Sequence, residues 1–160
     1  METLIDQLCQ ATREGKRSLV LKLLKEGRGT LGPETNIVID QLADQAAQAG
    51  HRQLLADLIG MGASDYDTIA ASAALGGHRA IVEWMLKKGA TDYDQIAARA
   101  AEGGYKDIVD DMLALGAIDY DYLISSAQRG GHSNLVEYLR RFETPKPSYP
   151  VARRFKLSRP

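Results

Sequence analysis

Apolar residues fall along this chain in short, evenly spaced stripes, and glycine closes each stripe. From His78 to Lys88 the apolar positions are Ile81, Val82, Met85 and Leu86, the i, i+1, i+4, i+5 stripe of a helix with one buried side. Just before it, Thr68 to Leu75 is nearly all small residues, and its alanines favour helix. Gly76-Gly77 and Gly89 end the two segments, because glycine takes the left-handed conformation of a helix C-terminus without strain. Lys87-Lys88 suit the negative end of the second helix. The pattern predicts a pair of short helices, the first slim and the second bulky, neither able to bury its stripe alone.

The pair recurs. Gly62-Ala63-Ser64-Asp65-Tyr66-Asp67 returns as Gly89-Ala90-Thr91-Asp92-Tyr93-Asp94 and as Gly116-Ala117-Ile118-Asp119-Tyr120-Asp121, at a step of 27 residues. The same step relates Gly50-His51 to Gly77-His78, Gly104-Tyr105 and Gly131-His132, and Leu54-Leu55 to Ile81-Val82, Ile108-Val109 and Leu135-Val136. Asp67, Asp94 and Asp121 stand just ahead of the small-residue segments, where N-caps are expected. Toward the N-terminus, Gln41 to Ala49 pairs with His51 to Ile59, and Leu4 to Thr12 with Lys16 to Lys25. Gly50 lies 35 residues beyond Gly15, and the eight extra residues fall in Gly27 to Glu34, which composition predicts as a loop spanning 27–37. The expected fold is an all-α solenoid of about five stacked helix pairs. Its first unit is about 1–28, its repeats about 38–63, 64–90, 91–117 and 118–143, and residues 144–160 form a Pro-rich basic tail.

These repeats resemble the ankyrin family. The pattern that carries the resemblance is Ala73-Ala74-Leu75-Gly76-Gly77-His78-Arg79-Ala80-Ile81-Val82, closing with Leu86-Lys87-Lys88-Gly89-Ala90. The family repeat has about 33 residues, against 27 here, and the shortfall lies where ankyrin repeats project a β-hairpin. Asp-Tyr-Asp is therefore expected to make only a tight turn. The family's Thr-Pro-Leu-His is also missing; Thr68-Ile69-Ala70-Ala71 stands in its place. The short form is similar to repeats of large DNA viruses and of bacteria that live inside eukaryotic cells. What the resemblance implies is a non-catalytic protein–protein interaction module, an adaptor or inhibitor surface. In a pathogen it would be an effector binding a host protein in the host cytosol. An assembly protein that self-associates through its tail or end repeats is the rival expectation.

Composition excludes several other classes. One cysteine, Cys9, permits neither an internal disulfide nor a cysteine-built zinc site. No apolar run approaches the ~18 residues of a membrane span, and Met1 to Asp6 lacks the layout of a signal peptide, so a soluble cytoplasmic protein is expected. No phosphate-cradling glycine loop, nucleophile elbow or His-Glu-x-x-His occurs, and neither catalysis nor a cofactor is expected. His51, His78 and His132 form one column of successive repeats. Stacked helices stand ~8–10 Å apart, too far to share a metal, so these read as turn histidines. Cys9 beside Leu4, Ile5 and Leu8 reads as a small buried hydrophobe.

The candidate partner-binding residues come from three places. Asp65, Tyr66, Asp92, Tyr93, Asp119 and Tyr120 mark the repeated turns, an acidic and aromatic edge suited to a protein with a basic surface. If the repetition is structural, Asp67, Asp94 and Asp121 serve as caps and the tyrosines as packing between adjacent turns, and the two roles are compatible. Trp84 shares a column with Asp57, Asp111 and Tyr138; a position that twice holds aspartate is expected to face solvent, which makes Trp84 and Tyr138 contact candidates. The other arrangement open to Trp84 lays its ring over Lys87 or Lys88. Finally, Ser72, Arg99 and Ser126 form one variable column, and Leu75, Glu102 and Arg129 another. Such positions choose the partner in repeat arrays.

Charge is segregated. Residues 1–143 hold 21 acidic and 15 basic side chains, while residues 144–160 hold five basic ones and no acid. Five cations beside so acidic a body do not point to nucleic acid. Arg153, Arg154 and Lys156 are expected to contact the acidic turns, of the same molecule or of a neighbour, with Phe155 or Leu157 finding an apolar site between tyrosines. The alternative is a free tail that binds another protein.

Overall fold

The structure is a computed structural model that describes residues 3–142. Among them are ten α-helices and no strand. They are α1 (Leu4–Arg13), α2 (Arg17–Leu31), α3 (Thr35–Gln48), α4 (Arg52–Gly60), α5 (Tyr66–Leu75), α6 (Arg79–Lys88), α7 (Tyr93–Gly103), α8 (Lys106–Leu115), α9 (Tyr120–Arg129) and α10 (Ser133–Arg140). Each odd-numbered helix packs on the even-numbered one that follows it, and α1, α3, α5, α7 and α9 pack side by side in one row.

The row follows from its small residues. Ala46, Ala73, Ala100 and Ala127 lie one step apart and are fully buried, which lets the odd helices approach closely. The even helices supply the bulk of the core: Leu54, Leu55, Leu58, Ile81, Val82, Met85, Ile108, Val109 and Met112 are all buried. These larger side chains hold the even helices farther apart. Between α6 and α8 an apolar groove opens, lined by Val82, Leu86, Ile108, Met112 and Leu115.

The turns after α1, α3, α5 and α7 depend on a close approach that only glycine permits. At Gly50 φ is +78°, and an added Cβ would stand 2.5 Å from the His78 ring of the next pair. At Gly104 φ is +81°, and His132 occupies the same position, also at 2.5 Å. The ring is where it is because His78 Nε2 lies 3.0 Å from the Gln48 carbonyl and His132 Nε2 3.0 Å from that of Glu102. His51 reaches the Arg13 carbonyl in the same way. The ring N–H thus donates to a carbonyl that its own helix leaves unpaired.

Two expectations need correction. The stretch 27–37 is not a loop. α2 runs on to Leu31, a single 3₁₀ turn covers Gly32–Glu34, and α3 starts at Thr35. Gly27 is buried directly under Leu4, where a side chain would collide, and Leu31, Val38 and Ile39 are buried as well. Their burial outweighs the ~1 kcal/mol that each interior glycine costs a helix. The caps are the second correction. Asp65, Asp92 and Asp119, not Asp67, Asp94 and Asp121, cap α5, α7 and α9. The tyrosine opens each helix, so the second aspartate of Asp-Tyr-Asp already lies inside its first turn.

Candidate binding surface

The turn edge is built from backbone N–H groups that need acceptors. Asp65 Oδ1 accepts from the Thr68 N–H at 3.1 Å, Asp92 Oδ1 from Gln95 at 3.0 Å and Asp119 Oδ1 from Tyr122 at 3.0 Å. The second aspartate reaches forward to the next pair. Asp67 Oδ1 accepts from Thr91 and Asp92, and Asp94 Oδ1 accepts from Ile118 at 2.7 Å and Asp119 at 2.9 Å. Asp40, one step earlier, accepts from Ser64. Asp65, Asp92 and Asp119 cap their own helices, while Asp40, Asp67 and Asp94 bond backbone of the next pair, so the edge is in the first instance a set of caps and clamps. Tyr66, Tyr93 and Tyr120 are half-buried against the core, and the Lys88 ammonium lies 5.6 Å from the Tyr66 ring centroid.

Across the even helices runs a ladder of cations. Arg17 bonds Asp57, with Nη2 to Oδ1 at 3.0 Å. Arg52 lies 5.5 Å from the Trp84 ring centroid. Arg79 meets Asp111, Nε to Oδ2 at 2.8 Å, and Lys106 lies 3.8 Å from the Tyr138 ring centroid. Each cation opens its even helix or its first turn and contacts the next even helix at the Trp84 column. The Arg17 hydrogen bond holds the Asp57 carboxyl below its usual range and raises the guanidinium in turn. Lys106 is raised chiefly by its bond to Asp110, then by Tyr138. Trp84 is therefore half-buried rather than solvent-facing, covered by Arg52 and, at 5.8 Å, by Lys88 of its own helix. The column accepts aspartate or an aromatic ring because either offers negative charge density to a cation. Sequence reasoning missed these cations, although Arg52, Arg79 and Lys106 recur at the 27-residue step.

Among the described residues, the outer side of the odd-helix row carries one such contact between successive helices, from Arg129 of α9 to Glu102 of α7. Arg99 and Arg129 are exposed and converge on one carboxylate: Arg99 Nη1 stands 3.2 Å and Arg129 Nη2 3.6 Å from Glu102 Oε2. Arg129 Nη2 also donates to Ser126 Oγ at 2.9 Å, beneath which Ser126 is fully buried. Asp44 lies on α3, in a column otherwise filled by Cys9, Ala71, Ala98 and Ser125. No hydrogen bond reaches its carboxyl among the described residues. Burial first, then the charges of Asp65 and Asp40, push it up to about 7, while Arg99 pulls the other way.

The structure brings Arg99 and Arg129 together and places Trp84 and Tyr138 on a different side, along the even helices. The tail candidates Arg153, Arg154, Phe155 and Lys156 lie outside the described residues. No group of three or more His, Cys, Asp or Glu side chains among the described residues is arranged to hold a metal, and no described helix is long and apolar enough to cross a membrane. The chain matches no protein-family model and no curated protein.

Proposed function

We propose that this chain is an ankyrin-like, non-catalytic protein-interaction module whose partner lies along the outer side of α3, α5, α7 and α9. One contrast carries the reading. Behind the row, Ala46, Ala73, Ala100 and Ala127 repeat without change; on it, Gln48, Leu75, Glu102 and Arg129 share one column, and Gln45, Ser72 and Arg99 another, which closes at the buried Ser126. A position needed by the stack is constant from pair to pair, whereas one that meets a foreign surface is free to differ. Constancy is also what marks the Asp-Tyr-Asp turns, and their carboxylates serve the backbone, which supports a structural reading of that edge.

The ladder argues against end-to-end self-association. Its next cation position after Lys106 is Ser133, and its receiving position in the first pair is Lys22. A second copy stacked on either end would set Ser133 against Lys22, without a charge pair. Photo-crosslinking tests both points. A benzophenone amino acid at Gln48 or Leu75 is expected to capture a foreign protein from a eukaryotic lysate, and the same group at Lys87 to capture none. Equal capture from Lys87, or a crosslinked dimer of this chain, would count against the reading.

A further inference from the structure

We propose that the α7–α9 end of this surface is a receptor for a carboxylate of the partner, an Asp or Glu side chain in an acidic peptide segment, held by the outward-facing donors of Arg99 and Arg129 beside Glu102. The inference rests on the interaction reading above and specifies its chemistry.

Stoichiometry is the first support. On the even helices every arginine that pairs has its own acceptor, Asp57 for Arg17 and Asp111 with Glu83 for Arg79. On the odd row, among the described residues, two guanidiniums share Glu102 as their one ion-pair partner, and Asp44, on which Arg99 also acts, stands beyond ion-pair distance. Each guanidinium has five N–H donors in a planar fork. Among the described residues Arg99 donates only to Glu102 and Arg129 only to Ser126. The remaining donors belong to side chains 45% and 54% exposed, so they are open to a partner.

Preorganisation is the second. Two like charges repel, and long arginine side chains lose much rotamer freedom when fixed. Glu102 overcomes the repulsion from between them, and Ser126 pins the Arg129 Nη2 from below. An incoming carboxylate meets a fork whose ordering cost is largely met in the free protein, the condition under which arginine–carboxylate pairing is strong. Glu102 and Ser126 are positioning residues in this scheme; Arg99 and Arg129 make the contact.

The surroundings supply the third. The described residues carry 19 acidic and 15 basic side chains, so the body repels acidic peptides at long range. Binding of an acidic segment must then arise locally, at the one place where α3, α5, α7 and α9 carry cations.

The test is selection of a random 12-residue phage-displayed peptide library on the full chain. Enriched peptides are titrated by fluorescence anisotropy, and their footprints mapped by amide chemical shifts. The expected result is a footprint on α7 and α9 with an Asp or Glu at one shared position. Replacing that acid by its amide, or the Arg99→Ala/Arg129→Ala double substitution, weakens binding ~10- to 100-fold, and the two together weaken it little further. Unchanged thermal melting of the variant shows that the fold survives. A footprint on the odd row with no acid requirement overturns this inference and leaves the interaction reading standing. A footprint elsewhere, or no enriched peptide, overturns both.

Discussion

The Asp92 backbone N–H donates to the Asp67 carboxylate at 2.8 Å while the Asp92 carboxylate caps α7, so one residue both receives the clamp from the preceding pair and opens its own helix. Asp119 does the same with Asp94. Pair joins pair through a relay of aspartates, each link 24 or 25 residues long in sequence.

Asp94→Ala should therefore cost more than removal of a cap. It removes a charged acceptor from two turn N–H groups, at Ile118 and Asp119, for an expected loss of ~1–3 kcal/mol. Asp65→Ala removes one cap bond, expected near ~1 kcal/mol. Asp94→Asn keeps an acceptor oxygen and should fall between. Urea unfolding measures all three, and equal stability of Asp94→Ala and the parent would refute the relay.

Gly104→Ala meets two obstacles. The left-handed φ of +81° costs a residue with a Cβ ~1–2 kcal/mol. The Cβ also displaces the His132 ring and breaks its bond to the Glu102 carbonyl. A total loss of ~2–3 kcal/mol is expected. Gly29→Ala, at a site with no neighbour within 4 Å and no positive φ, should be neutral or stabilising, and the contrast is read by thermal denaturation.

Trp84 is the only tryptophan and reports directly on the ladder. Removing its covers with Arg52→Ala and Lys88→Ala should shift its emission to longer wavelength and increase quenching by acrylamide. Each exposed contact is worth only ~0.5–1 kcal/mol, so stability should change little. Unaltered quenching would mean that the two cations do not shield the ring.

Asp44 sets a pH dependence with a definite sign. Its ordinary value is 3.8 and its folded value about 7, so between these the folded protein holds a proton that the unfolded chain has lost. Stability from this group is present below the lower value and falls as pH rises toward about 7. Asp44→Ala should flatten that slope. At pH 8 it should be more stable than the parent by ~1–2 kcal/mol, a figure reduced from the full shift because the carboxyl is partly exposed. Near pH 4.5 the two should be close. Asp40, Asp65 and Arg99 are the charges that act on Asp44, and they are unchanged in this comparison.

The all-helical fold was legible in the sequence because its determinants are local. Alanine content, the i, i+4 stripes and glycine stops each act within one helix and its turn, and identical copies reinforced the same pattern. The eight extra residues were misread for the opposite reason. Gly27 and Gly29 say loop by propensity, but Gly27 is where Leu4 needs room, a fact that exists only once α1 lies against α2.

The site divides along the same line. The columns of the 27-residue repeat single out Arg99 and Arg129 as candidates by their variability. That they share Glu102, that Asp67 and Asp94 serve the next turn rather than their own helix, and that Trp84 lies beneath Arg52 are relations between residues 24 to 32 positions apart or on neighbouring helices. A repeated sequence fixes which residue occupies each column; only the helix-to-helix spacing and the rotation of one pair on the next decide which columns touch. Cap and clamp were confused because two aspartates flank one tyrosine, and a shift of two residues in where the helix begins exchanges their roles.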